Sequence, residues 1–291
     1  MAEAWAHHEA VVNNVRLHWV EQGDGPLVVL LHGFPEFWWG WRRQIPALAA
    51  AGFRVVAPDM RGYNLSAKPR GASSYRVSIL LEDVAALVRH LGAERAHLTG
   101  HDWGGVVAWH AAMRRPEIVG RLAIINAPHP TIFAREMRRP RQFLRAWYAM
   151  AIQLPALPEA AIRAGNFRAL ERLFRGTATP GAFSDEDIAR YKEALRRPGA
   201  LTAALNYYRA YRSSLVRRMG TKKKRPRRIV ESPTLVIWGE KDRALDLHNL
   251  DGLERYVPDL RVERLPHASH WVMADDPERV NSLLIEFFRG D

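Results

Sequence analysis

Three short stretches of this 291-residue chain carry side chains whose types and order could perform covalent catalysis. Gly100-His101-Asp102-Trp103-Gly104 has the G-x-nucleophile-x-G shape of a sharp strand-to-helix turn, with aspartate at the nucleophile position. A carboxylate is charged at neutral pH, so unlike a serine it needs no base before it attacks, and it can displace a leaving group from a saturated carbon. That points away from esterase chemistry. Asp242 (Trp238-Gly239-Glu240-Lys241-Asp242) and His270 (His267-Ala268-Ser269-His270-Trp271) follow in the order acid, then histidine. A histidine aligned by an acid activates water, here against the ester that Asp102 would form. His267 rivals His270 as the base and Asp246 rivals Asp242 as the acid; placement just after a strand favours His270 and Asp242. Each residue alone also fits a structural role, as a capped glycine turn, a helix-capping Asp or a surface histidine. The three together argue for a catalytic unit.

A fourth stretch, His32-Gly33-Phe34-Pro35-Glu36, follows an apolar run. The turn after such a strand commonly offers one backbone N–H to an oxyanion, and the residue after the nucleophile offers the other. Phe34 and Trp103 are the expected donors. His32, Pro35, Trp103 and Trp271 are expected to line the substrate site, whereas the run Phe37-Trp38-Trp39-Gly40-Trp41 reads as core packing.

The elements that must position these turns alternate in type. Leu27 to Leu31 and Phe53 to Ala57 are short apolar runs closed by turn residues, as buried parallel strands are, and Ala96 to Thr99, Leu122 to Ile125, Thr234 to Trp238 and Arg261 to Leu265 continue the strand beat. Helical patterns at Trp38 to Ala50, Ser78 to Leu91, Gly104 to Arg115 and Pro277 to Phe288 lie between or after them. Period-2 spacing at Val15 to Val20 suggests an antiparallel edge pair. The beat implies an α/β fold, a mostly parallel doubly wound sheet with helices on both faces. It breaks after Asn126-Ala127-Pro128 for about a hundred Arg- and Ala-rich residues with a helical pattern. The expectation is a core domain of residues 1–128 and 229–291, with a helical cap of residues 129–228 over the carboxyl ends of the strands, where such sheets bind ligands.

Composition bounds the partners. The net charge is +12, but residues 129–228 hold 23 Lys and Arg against seven Asp and Glu, a net of +16, leaving the remainder at −4. The run from Lys222 to Arg228 lacks interleaved aromatics for base stacking and reads as a solvated loop, so nucleic acid is not expected as a partner. There are no cysteines, hence no disulfide framework and no thiolate chemistry. The N-terminal residues lack a signal-peptide pattern, and no run of about 18 apolar residues occurs. A soluble, cytoplasmic protein without a membrane partner is expected.

At these motifs the chain resembles the epoxide hydrolases of the α/β-hydrolase fold. HGFPE with Trp39 and Arg42 following, GHDWGG at the nucleophile, WGEKD at the acid and S-H-W at the base all fit that family. The order nucleophile, acid, histidine is that of the fold. Within the insertion, Trp147-Tyr148 and Asn206-Tyr207-Tyr208 are similar to the two segments that carry the family's ring-opening tyrosines. The resemblance implies that Tyr148 and Tyr208 donate to the epoxide oxygen, with Tyr207 the lesser candidate and otherwise part of the substrate site. It further implies a small epoxide and water as reactants, and no metal or organic cofactor. The nearest rival is a haloalkane or haloacetate dehalogenase with the same triad; Glu36 stands where haloalkane enzymes usually have a halide-binding Asn. A non-catalytic receptor on this fold is more distant, since it has no use for an intact triad.

Overall fold

A computed structural model describes residues 5–219 and 228–290. Eight strands form one sheet: β1 (Ala6–Val12), β2 (Val15–Gln22), β3 (Leu27–Leu31), β4 (Arg54–Pro58), β5 (Ala96–His101), β6 (Val119–Ile125), β7 (Thr234–Gly239) and β8 (Leu260–Leu265). Their spatial order is β1-β2-β4-β3-β5-β6-β7-β8. β1 and β2 form an antiparallel pair, β2 meets β4 antiparallel, and all other neighbours are parallel. Continuous apolar runs fit this position because helices cover both faces: every residue of β3 and of β7 is buried.

The covering helices of the core are α1 (Gln44–Ala50), α2 (Val77–His90), α3 (Trp103–Arg114) and, after β8, α10 (Val272–Asp275) and α11 (Pro277–Arg289). α11 shows how pattern becomes packing, since Val280, Leu283, Leu284, Phe287 and Phe288 recur at three- and four-residue spacing and are all buried. Between β6 and β7 lie α4 (Pro130–Glu136), α5 (Pro140–Arg145), α6 (Trp147–Ala151), α7 (Leu157–Thr177), α8 (Asp185–Arg196) and α9 (Ala200–Met219). Residues 222–227 of the basic run lie outside the described residues.

One helix differs from expectation. The stretch Trp38 to Ala50 is a 3₁₀ turn over Trp38–Trp41 followed by the separate helix α1. Pro46 is the reason: deep inside a single helix its ring would meet the carbonyl of Arg42, whereas in the first turn of α1 its missing N–H has no helical partner to lose.

Candidate active site

β5 ends at His101 and α3 begins at Trp103, so Asp102 alone makes the turn, at φ 47 and ψ −116. A non-glycine residue there costs about 1–3 kcal/mol, which the packing of strand and helix must hold in place. Glycines allow that packing. A Cβ on Gly104 would lie 2.0 Å from the Leu31 carbonyl oxygen, and one on Gly33 would lie 2.4 Å from the Asp102 Cβ. The turn after β3 is thereby pressed against Asp102.

As a result the Phe34 amide donates to Asp102 Oδ1 at 2.9 Å. Trp103 is the first residue of α3, where a backbone N–H has no partner within the helix. His270 lies beyond the end of β8, with Nε2 3.8 Å from Asp102 Oδ2 and Nδ1 2.7 Å from Asp242 Oδ2. Asp242, just beyond β7, is fully enclosed and accepts four hydrogen bonds. The amides of Ala244 and Leu245 donate to Oδ1, and His270 and Asn126 donate to Oδ2. Burial alone would raise the Asp242 carboxyl; the His270 charge and these donors outweigh it and lower its pKa. For His270 burial favours the neutral ring, but the charge and hydrogen bond of Asp242, with the charge of Asp102, push its pKa up to about 9. The charged form of the His270 ring is therefore favoured beside Asp102 and Asp242.

Facing them across a cavity of about 540 Å³ are side chains of the helical segment. Tyr148 on α6 and Tyr208 on α9 line it together with Phe34, Asp102 and His270, and much of the rest is aliphatic. The Tyr208 ring meets those of Trp103, Phe34 and Tyr148 edge-on at 4.9, 5.5 and 6.0 Å. Burial first, then the negative charges of Asp102 and Asp242, raise the Tyr148 phenol, opposed by a hydrogen bond with Tyr208. The Tyr208 phenol is raised well above 10.0 by burial, with Tyr148 and Asp102 adding, against a hydrogen bond from the Trp103 indole. Both phenols are thus O–H donors across the working pH range.

Other expected site residues are placed elsewhere. Tyr207 is fully buried in an aromatic cluster with Tyr63 and Tyr75, its hydroxyl donating to the Arg61 carbonyl at 2.7 Å. His32 is buried beneath the β3 turn: Nδ1 bonds the Gly33 carbonyl at 3.0 Å and Nε2 accepts from the Met60 amide, and burial lowers its pKa. It holds the turn as a neutral ring. Pro35 is buried and is not among the residues that line the cavity. Trp271 does line the cavity, anchored by its indole to Thr177 Oγ1. His267 is exposed and pairs with Asp276, and Asp246 bonds His248, Arg141 and Arg145, so neither rival joins the triad.

Three residues around the triad escaped the sequence reading. Asn126 donates to Asp242 and accepts from the Gly239 amide, tying the end of β6 to β7. His101 bridges Glu36 Oε2 and the His270 carbonyl, each at 2.9 Å, and Glu36 also accepts from the Tyr191 hydroxyl. Burial alone would raise the Glu36 carboxyl, but the His101 hydrogen bond and charge lower it. Only His101, which immediately precedes Asp102, carried a local signal in the sequence.

Residues 26–277 match the family defined by the alpha/beta hydrolase fold. The chain is 43% identical over 281 residues to the AB hydrolase superfamily protein YfhM of Bacillus subtilis, covering 96% of each chain. It is 35% identical to Epoxide hydrolase 2 of Caenorhabditis elegans, over 99% of this chain and 81% of that one. Among solved structures, the epoxide hydrolase of Bacillus megaterium in complex with an inhibitor superposes with a TM-score of 0.88 at 34% identity, covering 97% of this chain and 100% of that one. The chain belongs to the alpha/beta hydrolase fold family and is an epoxide-hydrolase-like enzyme within it.

Proposed function

We propose that this enzyme opens an epoxide to a vicinal diol through a covalent ester on Asp102. The observation that carries the reading is the placement of two phenol donors opposite a carboxylate nucleophile across an apolar cavity. Phe34 occupies Asp102 Oδ1, which leaves Oδ2 to attack a ring carbon. The carbon–oxygen bond of the ring breaks, and the departing oxygen takes a proton from Tyr148 or Tyr208. Oδ1 is then the ester carbonyl, already on the Phe34 amide.

Esterification also removes the Asp102 charge that helped hold the His270 proton, so the imidazolium gives that proton up to the phenolate left by ring opening and becomes the neutral ring that can accept a proton from water. His270 takes a proton from water, the hydroxide adds to the Asp102 carbonyl carbon, and the Phe34 and Trp103 amides stabilise the oxyanion. Collapse breaks the acyl–oxygen bond; His270 protonates the leaving alcohol, and the second water proton, released from the Asp102 carboxyl, returns to His270 and restores the imidazolium. Asp242 keeps the His270 ring oriented throughout.

Paired O–H donors across the cavity from Asp102 match a developing alkoxide, and the Trp103 ring packs edge-on against Tyr208. The test is product analysis with terminal and disubstituted epoxides, run beside halide release from matched chloro- and bromoalkanes. Diol without halide is expected, abolished in Asp102→Ala. Halide without diol would assign the site to dehalogenation.

A further inference from the structure

The rim of the cavity turns large apolar side chains outward. On α5, Gln142 and Arg145 face the core domain, donating to the carbonyls of Ala244 and of Asp242 and Leu245. Helical spacing then sets Phe143, Leu144 and, past Ala146, Trp147 on the opposite side. Leu144 and Trp147 are each 67% exposed, Leu157 is 61% exposed, and Phe143, Met150 and Leu154 are at least half exposed. Trp147, Leu154, Leu157 and Leu173 also line the cavity that ends at Asp102, so this surface is continuous with the path to the nucleophile. Scattered exposed apolar residues need no explanation, but this many in one short segment at the mouth of a site do.

The same segment is flanked by charge of one sign. Arg138, Arg163, Arg168 and Arg172 are exposed, and among the described residues none has an ion-pair partner. Arg163 follows the lining residue Ile162, and Arg172 precedes the lining residue Leu173.

We infer that this rim docks on an anionic lipid bilayer, so that apolar substrates pass from the lipid into the cavity. Three occupants compete for such a face. A second copy meeting it isologously would set arginine against arginine. A protein partner seated on the apolar residues would cover the mouth. An anionic bilayer matches the charge, solvates the aliphatic side chains, suits tryptophan at its headgroup level, and leaves the mouth open to molecules dissolved in it. No helix of the described residues is long and apolar enough to cross a membrane, so the contact is peripheral. The expectation of no membrane partner concerned spanning and tethering, which a peripheral contact does not need. The inference stands apart from the proposed reaction, because binding is measured without substrate.

The experiment is co-sedimentation of the full chain with extruded vesicles of phosphatidylcholine alone or of equal parts phosphatidylcholine and phosphatidylglycerol. Sedimentation with the anionic vesicles only, weakened by salt, is expected. Arg163→Gln, Arg168→Gln and Arg172→Gln combined should weaken partitioning by on the order of 10²-fold, roughly fivefold per residue. The same exchange at Arg89, Arg279 and Arg289, on core helices, should change little. Phe143→Glu with Leu144→Glu, outside the cavity lining, should abolish sedimentation while leaving thermal unfolding and turnover of a small soluble epoxide unchanged. No sedimentation, equal loss from both arginine triples, or binding that survives the Phe143 and Leu144 exchange overturns the proposal. So does a dimer, seen by analytical ultracentrifugation, that this exchange dissociates, which would make a second copy the occupant.

Discussion

Asp242→Asn isolates the electrostatic role of the acid, because the exchange keeps the side chain's shape and removes its charge. The wild-type carboxylate receives two amides on Oδ1 and two side-chain donors on Oδ2. Asparagine has one acceptor oxygen, so two of the four donors lose their partner whichever way the amide is turned. If the amide nitrogen faces His270, Nδ1 must accept, and the ring proton moves to Nε2, where the lone pair that activates water is required. The charge matters equally. A His270 pKa of about 9 against an ordinary 6.5 corresponds to about 3 kcal/mol in favour of the imidazolium, net of burial. Without Asp242 burial is opposed mainly by Asp102, and the pKa falls. Ester hydrolysis should slow by on the order of 10⁴-fold, as the same exchange does in serine protease triads. Formation of the ester, which uses Asp102 and the tyrosines, should persist. Rapid-quench kinetics should therefore show a burst of epoxide consumption followed by slow turnover, and NMR of labelled imidazole should show the lowered pKa. Hydrolysis within tenfold of wild type, or an imidazole still titrating near pH 9, would refute the reasoning.

Three further outcomes are expected. Tyr148→Phe or Tyr208→Phe alone should slow ester formation moderately, and the double variant by roughly 10²- to 10⁴-fold in single-turnover kinetics; comparable rates in the double variant would remove both phenols from the mechanism. Gly104→Ala drives a Cβ into the Leu31 and His32 carbonyls and should cost about 3 kcal/mol or more in chemical denaturation, whereas Gly92→Ala, at φ 78 with open space, should cost about 1 kcal/mol through backbone strain alone. His270 has a folded-state pKa above its unfolded one, so its contribution of about 3 kcal/mol is fully present below pH 6.5 and is lost as pH rises through about 9. Subtracting the denaturation profile of His270→Gln from that of wild type should reveal a term with this sign; a difference that grows with pH would contradict it.

The strands and their turns were legible because chemistry and topology coincide: β3, β5, β7 and β8 each end in turn residues, and each of those turns reaches the site. The residues proposed as nucleophile, acid and base were thus picked out by position relative to a strand. Tyr207 and Tyr208 show the limit. Neighbours on a helix point about 100° apart, so one enters the cavity and the other the core, and only the packing of α9 decides which. Asn126, Glu36 and His101 were invisible as partners because their contacts span 65 to 169 residues of sequence. The exposed rim was equally hidden, since Leu144 and Trp147 have the composition of core residues, and burial is a property of the fold. The division into core and cap at residues 128/129 and 228/229 remains a proposal, its second boundary falling at the edge of the described residues.

The covalent ester is the central claim, and intact-mass spectrometry of His270→Gln after incubation with an epoxide tests it most directly. With the base removed the ester forms and is not hydrolysed, so the protein should gain the full mass of the epoxide, on the peptide that contains Asp102. Asp102→Ala, treated identically, should gain nothing. A His270→Gln enzyme that turns over without an adduct, or an adduct that survives in Asp102→Ala, would contradict nucleophilic attack by this aspartate.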